Sequence, residues 1–258
     1  MLKKIAKGAL STICQVPYSQ KLFSRIEFLS AYAQGKGWFA SLKSEIDLCT
    51  SILPNGISCF VDIGGNVGEY SKEILARYPD SQITIFEPSR VNCEILCTKF
   101  DCYSNVQIIQ SALSDSKGTM SLYADEPGSA GASLIKRELD HFGVQVAEVE
   151  KVNVNRFDEI WNRQGIIDLV KIDVEGVELL VIKGFGELIK SVRVVQFEMG
   201  GTDIDTKTFF KDFWYFFSRC NFSLFRMTPS GLVRINAYTE QEEGFVFKNY
   251  VAFNNSIN

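Results

Sequence analysis

Short apolar runs recur along this chain, and several of them end in a carboxylate. Ser58 to Ile63, Ile83 to Phe86, Val106 to Ile109, Leu169 to Ile172 and Val192 to Phe197 are brief and rich in β-branched and aromatic side chains. Runs of that kind are buried on both faces, as in a parallel sheet. Helical periodicity fills the intervals. It predicts helices over Tyr70 to Tyr78 (closed by Pro79-Asp80), about Ser89 to Phe100, after Gly176, and over Thr206 to Arg219. Strands interleaved with helices predict an α/β fold with helices on both sides of the sheet. The ending differs: Phe222 to Met227, a Thr228-Pro229-Ser230-Gly231 turn and Leu232 to Ile235 predict a hairpin, and Phe245 to Phe253 adds a last apolar run.

Other segments carry weaker patterns. Ser114 to Gly118 reads as a turn into a short strand, Thr119 to Tyr123, and Val149 to Val154 as another strand before a short helix, Arg156 to Arg163. Residues 125 to 148 are glycine-rich at first and helical near Leu134 to Leu139, an insertion placed near a substrate. Residues 1–52 read as an N-terminal extension of short helices around Pro17 and the Gly35-Lys36-Gly37 break. Leu22, Phe23, Ile26, Phe28 and Leu29 suit one helix face, and Leu42, Ile46 and Leu48 another. This extension is expected to pack on the main domain, residues 53–258, as a cap or as a homodimerisation element. Pro54-Asn55-Gly56 launches the sheet.

Composition narrows the classes. At 258 residues, 46% apolar and 22% charged, the chain can bury one sizeable core. A net charge of −4 and a pI near 5.3 exclude a general polyanion binder, so no nucleic-acid partner is expected. The seven cysteines are odd in number, mostly within apolar runs, and not in paired zinc spacing. With His141 the sole histidine, no metal site is expected, and reduced thiols point to the cytoplasm. No apolar window is long enough for a membrane-spanning helix. Lys3, Lys4 and Lys7 would allow weak peripheral contact with an anionic membrane, although a solvated helix end accounts for them too.

The candidate chemistry lies at the strand ends. Asp62-Ile63-Gly64-Gly65-Asn66-Val67-Gly68 is a glycine-bearing strand-to-helix turn, and Glu87-Pro88 ends the next strand. In a doubly wound sheet the glycines let backbone approach a nucleoside, while a carboxylate on the second strand takes the ribose hydroxyls. Asn66 replaces the middle glycine of a dinucleotide turn. A ligand without a pyrophosphate tolerates that looser turn, and the order of elements favours S-adenosylmethionine (SAM), with Asp62 near its amino-acid end. Ser111 and Ala112 follow the third strand, where an adenine is usually lined. Asp173, Glu175 and Glu178 crowd the end of the fourth strand, and Glu198 ends the fifth. Helix capping also explains such acids. Asp173, Glu198 and His141 are the candidate general bases; a divalent cation on the rim acids is the alternative.

The runs F-V-D-I-G-G-N-V-G, I-F-E-P-S and L-V-K-I-D-V-E-G-V-E-L together resemble the FkbM family of SAM-dependent methyltransferases, over roughly residues 55 to 250. The resemblance implies a Rossmann-like class I methyltransferase fold, with a mostly parallel seven-stranded sheet and an antiparallel C-terminal hairpin strand. It also implies O-methylation of a hydroxyl on a sugar, glycan or secondary-metabolite acceptor. The family's cofactor turn maps onto Asp62, Gly64, Gly65, Asn66 and Gly68, with Gly65 in place of the usual Ala. Its ribose acid maps onto Glu87 and its carboxylate block onto Asp173, Glu175 and Glu178. Three alternatives stay open at this point: N-methylation of a small molecule, an NAD-dependent oxidoreductase, and a non-catalytic SAM-binding protein.

Overall fold

The structure, a computed structural model, describes residues 19–38 and 40–257. Lys3, Lys4, Lys7 and Pro17 lie outside the described residues. Five strands form the parallel centre: β1 (Cys59–Ile63), β2 (Gln82–Glu87), β3 (Val106–Gln110), β7 (Ile167–Ile172) and β8 (Val192–Met199). On the far side of β8, β11 (Lys248–Asn254) runs antiparallel to it, followed by β9 (Phe222–Thr228) and β10 (Gly231–Ile235). The order is β10-β9-β11-β8-β7-β1-β2-β3. The sheet thus has eight strands. The one beyond seven is β10, because the hairpin adds both its arms to the edge.

Helices cover both faces, as continuous apolar strands require. On one side α5 (Phe157–Ile160), α6 (Glu178–Gly184) and α8 (Phe210–Arg219) bury a core that includes Val61, Val170, Val195 and a stack of Phe197 on Phe213 and Tyr250. On the other, α2 (Leu42–Thr50), α3 (Glu69–Arg77) and α4 (Arg90–Lys99) cover Phe60, Ile83, Leu169 and Val194. Ile46 and Cys49 of α2 are fully buried there. By contrast α1 (Ser19–Ala33) keeps its apolar face in solvent: Leu22, Ile26, Phe28 and Leu29 are all more than half exposed.

Three segments depart from the sequence reading. β4 (Ala112–Leu113), β5 (Gly118–Ala124) and β6 (Ala147–Asn155) form a separate three-stranded sheet. The segment near Leu134 to Leu139 is not helical. Ser133 exchanges backbone hydrogen bonds with Tyr123, which holds the chain extended and turns Leu134 inward, where it is buried. The helix expected over Thr206 to Arg219 is broken. A short α7 (Thr202–Thr206) ends at Lys207, in the left-handed region at φ 55°, and α8 starts afresh at Phe210. Among the described residues no helix is long and apolar enough to cross a membrane.

Candidate active site

The carboxyl ends of β1, β2 and β7 enclose a crevice, closed above by the segment linking β5 to β6. Its empty space, open mouth included, is about 530 Å³. Gly64 sits at φ 79°, and a Cβ there would lie 1.9 Å from the Asp173 carbonyl oxygen. Only glycine allows the β1 and β7 turns to meet this closely. Asn66 is also left-handed, at φ 47°, a conformation asparagine tolerates better than most residues. Its backbone N–H donates to Glu87 Oε2 at 2.8 Å, while its side-chain oxygen is buried without a partner.

Glu87 closes one end. It is 5% exposed and accepts from the Ser89 N–H at 2.9 Å and the Asn92 amide at 3.5 Å besides Asn66. Burial pushes its carboxyl up, and those donors oppose the shift. The group is therefore fixed in orientation by the backbone of two adjacent turns. Pro88, Ser111 and Ala112 line the same wall, with Asn92, Leu113 and Leu122. Ser111 is held by its bond to the Ala112 carbonyl and by the Asn155 amide.

Asp173 borders the opposite end. Its Oδ2 meets Lys171 Nζ at 2.9 Å. Lys171 lies in a polar row across three strands, in register with Asp62 on β1 and Gln196 on β8, and its ammonium sits 5.3 Å from the Tyr70 ring centroid. Burial opposes its charge, yet Asp173, Asp62 and Glu45 together hold Lys171 above its ordinary value. The neighbouring acids are not equivalent. Burial, then repulsion from Asp173, lifts Glu175 to about 7. Glu178 accepts the Val174 and Gly176 N–H groups and so braces the turn, with burial and then Asp203 raising it to about 8. Burial and then Asp173, Glu175 and Glu178 push the Glu198 carboxyl well above its ordinary value, and Glu198 does not line the crevice.

Of the residues singled out from sequence, Gly64, Asn66, Glu87, Pro88, Ser111, Ala112 and Asp173 line this crevice. Asp62, Gly65 and Gly68 do not. Asp62 is fully buried beneath the turn, bonded to the Ser71 hydroxyl at 2.6 Å. Gly65 and Gly68 serve packing: Cβ atoms there would meet Ile85 at 2.2 Å and Leu96 and Phe100 at 2.7 Å. His141 is exposed, its ring tilted at 43° against that of Phe142, and is not brought to the crevice. Sequence reasoning missed Asn92, three residues into α4, and Ser129, Ala130, Ala132 and Leu134 of the covering segment. It also missed Glu45 of α2, which binds Gln196 at 2.9 Å and Asn249 at 3.1 Å beside the Lys171 row. Among the described residues no group of three His, Cys, Asp or Glu side chains is placed to hold a metal ion.

These features fit an adenosine carrying a cationic tail. Glu87 is an oriented carboxylate for vicinal hydroxyls, the Ser111 to Leu113 wall suits a flat base, and the Asn66 oxygen is an unpartnered acceptor. The Asp173 end supplies negative charge. The family model described as Methyltransferase FkbM domain matches residues 62–224. The chain is 31% identical to "Methyltransferase sdnD" of Sordaria araneosa over 211 residues, 67% of this chain and 80% of that protein. It is 27% identical to "Methyltransferase 1" of Beauveria bassiana (strain ARSEF 2860) over 161 residues, 55% and 64% of the two. Among solved structures, the plantazolicin methyltransferase BpumL in complex with SAH superposes with a TM-score of 0.46 at 8% identity, over 94% of this chain and 93% of that one.

Proposed function

This chain belongs to the FkbM methyltransferase family, whose cofactor is SAM, and on that premise we propose that it methylates a hydroxyl oxygen of a sugar, glycan or secondary-metabolite acceptor. The observation that carries the reading is that Glu87 and Asp173, on different strands, border one crevice. In this reading Glu87 holds the ribose hydroxyls, Ser111 and Ala112 flank the adenine, and Asp173 faces the acceptor. When bound, SAM supplies an electrophilic methyl carbon on a positively charged sulfur, so the protein's task is chiefly alignment.

A hydroxyl is a weak nucleophile, and a carboxylate near it accelerates transfer by roughly 10²–10⁴-fold. Lys171 occupies Asp173 Oδ2 and leaves Oδ1 to receive the acceptor proton. Burial and repulsion from Asp173 raise both Glu175 and Glu198, which leaves Asp173 the better placed carboxylate. The covering segment excludes water: Ser133 Oγ donates to the Glu175 carbonyl at 2.7 Å, and Arg137 pairs with Asp205 at 2.9 Å. Glu45 of α2 would brace the Lys171 row from outside the crevice through Gln196 and Asn249. The six described cysteines are free, which suits a reducing cytoplasm.

The test is a screen of sugars, glycans and hydroxylated metabolites with SAM labelled in its methyl group. Label recovered as an ether supports the proposal. Label only on nitrogen replaces it with N-methylation, and no transfer to any acceptor despite SAM binding replaces it with a binding role.

A further inference from the structure

Among the described residues nothing covers the apolar side of helix α1. At about 100° per residue, Leu22, Ile26 and Leu29 fall in one narrow stripe, with Phe28 about 125° from its centre and Tyr32 about 85° from it. They are 54%, 51%, 65%, 67% and 42% exposed in that order. Phe23 and Ala31, on other sides of the helix, are the half-buried ones. The charges are sorted as well. On one side Arg25 lies about 65° and Lys21 about 105° from the centre of the stripe, and Glu27, the one acid of the helix, lies about 135° from it on the other side. Residues 1–43 contain seven Lys or Arg and one acid, so the net charge of −4 divides into +6 there and −10 over the remainder.

We propose that α1 is an interfacial helix that docks the protein on an anionic lipid surface, with Leu22, Ile26 and Leu29 at the acyl boundary and Lys21 and Arg25 among the headgroups. An apolar stripe edged by basic side chains, with its acid turned away, is the pattern such helices need. A second copy suits the face less well. Five partly exposed side chains offer no more than roughly 500 Å², against the ~800 Å² per partner of a stable interface, and a two-fold contact would bring Lys21 and Arg25 against their own copies. The anchorage of the helix links it to the active-site rim. Arg226 Nε donates to the Gln34 carbonyl and Gly37 N–H to the Phe247 carbonyl, each at 2.7 Å. The Phe247 backbone in turn packs against Gly200, two residues beyond Glu198.

Flotation of the full chain with vesicles of phosphatidylcholine carrying about 30 mol% phosphatidylglycerol tests this. The chain is expected to float with them, and much less with phosphatidylcholine alone or in high salt. Leu22→Asp/Leu29→Asp and Lys21→Glu/Arg25→Glu should each weaken binding by about tenfold or more without shifting the thermal midpoint or SAM affinity. If the aspartate variant loses its fold, the charge-reversal pair decides alone. Failure of the parent chain to float, or equal flotation of the variants, overturns the proposal. A concentration-dependent dimer that Leu22→Asp dissolves, with no vesicle binding, overturns it in favour of a second copy.

Discussion

Replacing Lys171 by methionine removes the one cation from a buried row that holds Asp62 and Glu45 and reaches Asp173. The lysine side chain is 12% exposed and Asp62 not at all. Loss of one partner from a buried ion pair costs about 3–5 kcal/mol, because the remaining charges stay desolvated. Asp173 is 37% exposed, so water screens its share, and the lower end, ~3 kcal/mol, applies. The pH dependence separates this account from a simple packing loss. Burial already pushes Asp62 and Glu45 up, and Lys171 opposes both shifts. Without it their folded values climb further above the unfolded ones. A carboxyl shifted upward costs stability as pH rises from its unfolded value through its folded one. The variant should therefore be less handicapped at pH 5 than at pH 8. At about 1.4 kcal/mol per unit, the two deficits should differ by about 1–3 kcal/mol. Urea unfolding of both proteins at the two pH values measures it. An equal deficit at both refutes the coupling of Lys171 to these acids.

Glu198→Gln should stabilise the chain at pH 7, because the carboxyl ionises there in the unfolded chain while burial and the neighbouring acids disfavour its ionisation in the folded one. The parent chain loses stability as pH rises toward 10, and the amide removes that loss, so the gap between thermal midpoints at pH 6 and pH 9 should narrow. Gly65→Ala should destabilise by about 1–3 kcal/mol through the clash with Ile85, and Ile85→Ala in the same chain should restore part of it in a double-mutant cycle. His141→Ala should keep methyl transfer within about twofold, since the exposed imidazole does not reach the crevice; a drop of a hundredfold in turnover would reinstate it.

The parallel centre was legible because buried strands leave continuous apolar runs, and the turn at Gly64 and the acid at Glu87 stand at fixed offsets from them. Less local features were not. The covering segment has helix-forming residues at Leu134 to Leu139, but pairing of Ser133 with Tyr123 across the second sheet overrides that propensity. The break at Lys207 depends on a left-handed residue that is not glycine. Glu45 reaches the site through partners 151 and 204 residues away, which no periodicity can show. Asp62 carries the pattern of a ligand contact yet lies fully buried beneath Gly65, because the turn itself forms the floor of the crevice.

Calorimetric titration of the chain and of Glu87→Ala with SAM tests the central claim most directly. The account predicts saturable binding by the parent chain, weakened at least about tenfold in the folded variant, since the ribose would lose charge-assisted hydrogen bonds worth ~1.5–3 kcal/mol each. Absence of binding, or equal affinity in the two proteins, would contradict it.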